Sequence, residues 1–324
     1  MMSSSNSDYE HYYVPESSKL PIYASLFLFI TVYGAATLIN NVSGMPATFT
    51  GSWVHWIPII GFLCFARVLY VWFRTTIREN LQGLPSAQLK RSYTMGMMWF
   101  IFSEVMFFFA FFGALFYVRS FAGPWLGGEG DKGVANLLWQ GFQYDWPLMI
   151  TPQQAAEAGA GQITAVNGEF GGPGKHMSFP GFSAMFGWLP LYNTIILLSS
   201  SFTVHVAHHA LKEGNKSKMK NWLGITVLLG AIFVVLQAVE YYEAYAHYGL
   251  TLNAGIYGST FFMLTGFHGF HVCLGAFMLF VMWMRATRHD HFTPEDHFGF
   301  EAASWYWHFV DVVWVGLVLV VYVF

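Results

Sequence analysis

Polar and apolar positions along this chain do not alternate at the short period of a strand, nor do they mark one face of a surface helix. Long apolar runs instead alternate with short polar breaks. Seven runs, about residues 20–40, 54–76, 92–122, 184–211, 220–247, 255–285 and 299–324, each reach the roughly 20 residues that a helix needs to cross hydrocarbon. Backbone polar groups in lipid must be satisfied internally, and runs of this length suit helices rather than barrel strands. Gly and Ser recur within them at positions where neighbouring helices can approach closely. The pattern predicts an all-α, polytopic membrane protein with seven transmembrane helices.

Composition narrows this further. Hydrophobic residues make up 55% of the 324, aromatics 19% and charged residues only 10%, far less charge than a soluble surface of this size requires. A net charge of −3 offers no polycationic face, which sets nucleic acid aside as a partner. Cys64 and Cys273 both lie in apolar runs and predict neither a disulfide framework nor a Cys-rich metal site.

The basic residues set an orientation. With the N-terminus inside, the inner segments carry Lys19, Arg74, Arg78, Lys90, Arg91, Lys212, Lys216, Lys218, Lys220, Arg285 and Arg288, most of the fifteen in the chain. Arg119, Lys132 and Lys175 fall outside, and Arg67 lies within the second run. This bias predicts an N-terminus in and a C-terminus out. Residues 1–19 then form an inner-side segment ahead of a membrane domain over 20–324. The first eighteen contain no Lys or Arg, unlike a secretory leader, so the first span is expected to be retained. Residues 123–183, rich in Gly, Pro, Gln and Ala, are expected to form an outer loop capping the bundle.

Ionisable residues inside apolar runs are costly, so each invites a functional question. Glu104 lies about 20 Å into the third run at about 1.5 Å per residue. At that depth a carboxyl needs a donor or a cation, or takes up a proton; an interhelical tie accounts for it equally well. Glu240 and Glu243 are spaced i, i+3, as are His268 and His271, which places each pair on one helix face. Glu301 sits near the start of the seventh run, with His308 and Asp311 on one mid-membrane face. His205, His208 and His209 end the fourth run in a pattern shaped like a histidine box. Carboxylates and imidazoles on adjacent helices can hold a di-iron centre, but several boxes must converge for that. These are dispersed in depth, so interhelical polar contacts are the simpler account and no metal is expected. There is no Cys-x-x-Cys-His, no Walker loop and no dinucleotide fingerprint.

Longer strings carry more information. SEVMFFFAFFGALFY, LYNTIILLSSSFTVHVAHHAL, LQAVEYYEA, YGSTFFMLTGFHGFHV and HFGFEAASWYWHFVDVVW fall in order, one per run, from the third to the seventh. They resemble subunit III of the haem–copper cytochrome c oxidases, and the likeness extends from about residue 68 to the end apart from the outer loop. The resemblance implies a two-helix plus five-helix arrangement with a lipid cleft between the two parts. It also implies a chain with no cofactor of its own, beside subunits I and II that hold haem and copper and pass electrons from cytochrome c to O2 while pumping protons in an aa3-type enzyme. In that family subunit III supports proton uptake, protects the active site during turnover and holds phospholipids.

By position, Glu104 matches the family's carbodiimide-reactive carboxyl. Arg78 and Glu79 match one lipid-headgroup site, and Arg285, with His291, matches another. A guanidinium at the interface pairs bidentately with phosphate. The chain departs from the family where Leu84 and Pro85 replace two histidines, and where Phe73 and Thr75 stand in place of Trp and Asp. The long outer loop favours a bacterial plasma membrane over a mitochondrial inner membrane. Rival readings are the equivalent subunit of a quinol oxidase and a free-standing di-iron oxygenase built on the histidine box.

Overall fold

A computed structural model of the chain describes residues 13–44, 51, 53–130, 142, 144, 146–149, 151–153, 179–252 and 254–323. Among these, seven helices are long and apolar enough to cross a membrane: α1 (Leu20–Val42), α2 (Trp56–Leu81), α3 (Ala87–Tyr117), α4 (Leu189–Lys212), α5 (Lys216–Ala246), α6 (Gly255–His289) and α7 (Phe298–Leu317). No strand occurs among the described residues. Most of the 1–19 segment, and the 131–178 portion of the expected outer loop with Lys132 and Lys175, lies outside the described residues apart from short pieces at 142–153.

Helix ends differ from the apolar runs by a few residues, for local reasons. Apolarity marks where a helix crosses lipid, not where its hydrogen-bond ladder stops. Thus α2 continues five residues past 76 through Ile77–Leu81, and α3 begins at Ala87, five residues before its apolar run. In contrast α4 begins late. Met185–Gly187 form a 3-10 turn, and Pro190 then occupies the first helical turn, where its missing N–H costs nothing. A π-helical turn, Val118–Ala122, carries α3 into a short helix at Gly123–Leu126. The α4–α5 turn is sharp because Gly214 adopts φ +75°, and Asn215 then caps α5 by accepting from the Lys218 N–H at 3.0 Å.

The chain falls into two compact units, Met1–Met95 and Gly96–Phe324. In the first, α1 and α2 pack antiparallel. A Cβ built on Gly34 would lie 2.8 Å from Ile57 and Pro58, and one on Gly61 would lie 2.8 Å from Thr31. The close approach therefore depends on both residues being glycine.

The second unit is organised around α7, the most buried helix. Trp307 is fully buried and its indole is wedged between two glycines of different helices. A Cβ on Gly230 of α5 would come within 2.8 Å of the ring, and one on Gly275 of α6 within 2.9 Å. Its Nε1–H donates to Ser200 Oγ of α4 at 2.9 Å. One side chain thereby locates α7 against α4, α5 and α6. Seven residues along, Trp314 repeats the pattern, donating to Thr194 Oγ1 at 3.0 Å and meeting Phe233 edge to face at 4.9 Å.

Further hydrogen bonds register the other pairs. Thr203 and Thr226 bond at 2.8 Å between α4 and α5. Tyr241 and Thr265 bond at 2.7 Å between α5 and α6, and Trp283 Nε1–H reaches the Lys220 carbonyl at 3.1 Å. At the C-terminus of α6, Asp290 takes a left-handed conformation with φ 53° and accepts from Lys216 Nζ at 2.6 Å, with Lys220 Nζ 3.3 Å away. The Lys216 hydrogen bond holds the Asp290 carboxyl below its ordinary range, so this exposed clasp is intact at neutral pH and is lost as acid protonates the carboxylate.

Because Trp307 is rigid and enclosed, Gly275→Leu is expected to overpack the bundle and lower stability by about 1–3 kcal/mol. Trp307→Ala is expected to cost about 3–5 kcal/mol. Thermal unfolding of the purified variants in mild detergent measures both.

Candidate functional site

Two pairs that share a helix face, His268 with His271 and Glu240 with Glu243, meet different partners. His268 and His271 share a face of α6 but turn to different neighbours. His268 is fully buried, with Nε2 3.3 Å from the Val310 carbonyl of α7 and its ring stacked on Trp314 at 5.1 Å. His271 turns to α3, where its Nε2 lies 2.9 Å from Glu104 Oε2. The partner that Glu104 requires thus comes from a residue 167 positions away in the chain.

The protonation of this pair follows from its partners. His271 Nδ1 lies 2.6 Å from the Phe267 carbonyl, which can only accept, so Nδ1 carries a hydrogen. The remaining contact, Nε2 to Oε2, then needs a proton between its two atoms. Either the ring is an imidazolium facing a carboxylate, or a neutral ring accepts from a carboxylic acid. In both cases one proton is shared between Glu104 and His271. Phe108 lies edge-on to His271 at 5.0 Å, Phe107 is tilted against it at 5.9 Å, and Tyr306 stacks on the imidazole at 6.2 Å. The shared proton sits in an aromatic wall formed by α3, α6 and α7.

Glu240 and Glu243 also separate. Glu240 is buried and accepts from Tyr322 O–H at 2.6 Å and from Gln237 Nε2–H at 3.2 Å, whereas Glu243 is half-buried on the bundle's flank. Asp311 is buried beside the half-exposed His308, with 3.7 Å between Oδ2 and Nδ1, and His308 Nδ1 lies 2.7 Å from Ser201 Oγ of α4. Glu301 sits half-buried in the first turn of α7.

The histidine box does not converge. His205 is exposed. His208 meets the His297 ring at 5.3 Å and Phe300 at 5.6 Å, and His209 pairs with Glu213 at 3.1 Å on the surface. Among the described residues no three His, Cys, Asp or Glu side chains come together in a way that could hold a metal ion.

Arg78 is exposed at the C-terminal end of α2, and Glu79 accepts from Tyr13 O–H at 3.3 Å. Arg285 is half-buried. Its guanidinium lies over Phe292 at 4.7 Å and donates to Met282 Sδ at 3.7 Å, while its Nε is buried with no hydrogen-bond partner. His291 stacks on His289 at 4.9 Å, and its Nδ1 is also buried without a partner. Burial, then the nearby Arg285 and His289 charges, pushes the His291 imidazole below its ordinary range, favouring the neutral ring beside the arginine.

Residues that sequence reasoning passed over complete these contacts. Gln237 is a carboxamide deep in an apolar stretch of α5 and Tyr322 a lone hydroxyl in an aliphatic tail, and both signals were visible. Ser200 and Ser201 carried no such mark, since helix serines ordinarily satisfy their hydroxyl on the preceding turn.

The shared proton makes the Glu104–His271 pair strongly coupled. Glu104→Ala is expected to destabilise the bundle by about 1–3 kcal/mol by orphaning Nε2, while Glu104→Leu combined with His271→Leu should recover most of that loss. A double-mutant cycle on thermal unfolding in detergent measures the coupling, which would be near zero if the two groups did not interact.

Comparison with known proteins adds the family. Residues 11–129 and 183–324 match the family described as cytochrome c oxidase subunit III, so the gap in the match falls within the long segment after α3. The chain is 38% identical over 296 residues to cytochrome c oxidase subunit 3 of Latimeria chalumnae, covering 90% of this chain and 92% of that one. It is 38% identical over 275 residues to the same subunit of Osphranter robustus, covering 83% and 86%, and 36% identical over 294 residues to that of Oryctolagus cuniculus, covering 89% and 91%. A match over most of the chain, on a membrane fold of seven helices, places this protein in the cytochrome c oxidase subunit III family.

Proposed function

We propose that this chain is the accessory, non-redox subunit of a proton-pumping aa3-type oxidase, seated beside subunits I and II, which hold the haem and copper and pass electrons from cytochrome c to O2. The observation that carries this reading is the family match over most of the chain, joined to ionisable groups that tie helices in pairs. Glu104 and His271 hold one proton between α3 and α6. Glu240 and Tyr322 tie α5 to the π-helical turn Val318–Val323 that continues α7. Each is a fixed hydrogen bond between packed helices, suited to keeping a bundle rigid beside a partner that turns over rapidly. In keeping with the family, the Glu104 pair supports proton uptake by that partner rather than oxygen chemistry in this chain.

The second role is lipid retention. Arg285 presents a guanidinium whose face is held by Phe292 and whose Nε has no partner, next to the His291 Nδ1 that also lacks one. An anionic phospholipid headgroup supplies the acceptors that such a guanidinium needs. α6 runs 35 residues, about 50 Å at about 1.5 Å per residue, well beyond the roughly 30 Å hydrocarbon core. Its Arg285 end therefore belongs at the headgroup level. Arg78 occupies the corresponding end of α2, exposed. With both ends on the basic side, the N-terminus lies in the cytoplasm of a bacterium and the C-terminus in the periplasm. The long segment that the family match skips, residues 130–182, supports the bacterial plasma membrane as the location.

Purification through a tag on this chain in mild detergent, followed by a reduced-minus-oxidised spectrum, tests the assignment. A haem a signal is expected that leaves when the chain is stripped from its partners; iron retained by the isolated chain with no haem present would overturn the reading. For the lipid role, Arg285→Ala with Arg78→Ala is expected to reduce co-purifying phospholipid, counted by mass spectrometry, and to shorten activity during sustained turnover. Unchanged lipid content would remove it.

A further inference from the structure

The two buried indoles of α7 centre two layers of the bundle with different contents. Trp307 meets Ser200 of α4, Gly230 of α5 and Gly275 of α6. The contacts of Trp314 show how the helices run past it. Thr194 of α4 lies six residues before Ser200, Phe233 of α5 three after Gly230, and His268 of α6 seven before Gly275. A step of seven residues, two turns and about 10 Å at about 1.5 Å per residue, therefore carries Ser200 to Asn193, Gly230 to Gln237, Gly275 to His268 and Trp307 to Trp314. The first layer closes small residues around an indole. The second brings polar side chains from three helices around one.

Asn193, Gln237 and His268 are all buried, and their hydrogen bonding is incomplete. His268 Nε2 lies 3.3 Å from the Val310 carbonyl, which can only accept, so Nε2 carries the hydrogen and Nδ1 is an acceptor. That Nδ1 has no partner among the described residues. Gln237 commits Nε2–H to Glu240 and leaves Oε1 without a donor. Asn193 uses neither Oδ1 nor Nδ2. The donors beside them are already engaged: Trp314 N–H with Thr194, Thr194 O–H with the Pro190 carbonyl, and Tyr322 O–H with Glu240. Two hydrogens on Asn193 Nδ2 remain in the layer, against three acceptors, His268 Nδ1, Gln237 Oε1 and Asn193 Oδ1. Side chains alone cannot satisfy all of these atoms, even with Asn193 turned to both neighbours.

Buried polar atoms are ordinarily answered by protein or by ordered water, and a buried water makes about three hydrogen bonds. A cation would suit the three acceptors but repel the Asn193 amide hydrogens, whereas water both donates and accepts. We propose that the layer of Asn193, Gln237 and His268 binds ordered water at the centre of the five-helix unit. The water donates to His268 Nδ1 and Gln237 Oε1 and accepts from Asn193 Nδ2. It ties α4, α5 and α6 through one shared partner, as the Trp307 indole does in the first layer. Because Gln237 also donates to Glu240, the site extends the buried network as far as Tyr322.

The test is a density map of the protein, purified with the subunits that accompany it, at a resolution that shows ordered water. A peak is expected within about 3 Å of Asn193 Nδ2 and of His268 Nδ1 or Gln237 Oε1. Absence of a peak would overturn the proposal, whether or not Asn193 then bonds its neighbours directly. A peak about 2.4 Å from the acceptors would mark a cation instead and also overturn it. Radiolytic labelling in isotopically labelled water gives a second readout. Hydroxyl radicals formed from a held water modify the ring beside it, so Trp314 is expected to take up label despite its burial, while the equally buried Trp307 does not. Equal labelling of the two rings would defeat the site. Asn193→Leu is expected to abolish the label at Trp314, and Gln237→Met makes the same test from α5 should the leucine prevent folding. Labelling of Trp314 that persists in these variants would place the source of label elsewhere and reject the assignment.

Discussion

The indole of Trp307 sets the geometry of the five-helix unit. Helices in lipid gain little from the hydrophobic effect, so their association depends on close packing and interhelical hydrogen bonds. Trp307 supplies both from one residue. Its ring needs two glycine surfaces, Gly230 and Gly275, and its N–H needs the Ser200 hydroxyl. Those three requirements come from three different helices. Satisfying them together fixes the rotation of α7, and the rotation of α7 in turn decides where His308, Asp311, Trp314 and Tyr322 lie.

Polar residues buried in this unit divide by what they meet. Glu104, Glu240 and His268 each meet a partner on another helix. Glu104 with His271 and Glu240 with Tyr322 bind side chain to side chain, which favours a single register between the helices involved. Gln237 does not cross helices; its Nε2–H serves Glu240 on the same helix. A second group has inner partners and an open outer side, with His308 as the clearest case. The first kind holds the bundle together. The second faces outward from the bundle.

The ends of the bundle follow different physics. Lys216, Lys220 and Asp290 form an exposed clasp in which like charges on α5 share one carboxylate on the α6 C-terminus; screening keeps such pairs weak. Arg285, a few residues earlier on α6, is more enclosed, with its guanidinium over the Phe292 ring at 4.7 Å. Its Nε is left without a hydrogen-bond partner near the C-terminal end of the long α6.

The sequence by itself determined the class of the molecule: seven apolar runs of spanning length, their order, a basic bias toward one side, and five strings specific enough to identify a family. Those features are local or one-dimensional, and helices in lipid satisfy their own backbones, so little tertiary information is needed to read them. Partner choice was not legible. Spacing put His268 with His271 and Glu240 with Glu243, but a helix face is wider than one neighbour. The bundle sends His271 to Glu104, His268 to Val310, Glu240 to Tyr322 and Glu243 to the flank. Which neighbour a residue meets depends on helix rotation, and rotation is decided by contacts such as Trp307 between Gly230 and Gly275, drawn from positions far apart in the chain. Only the packed structure contains that information, because it is a property of several helices at once and of none alone.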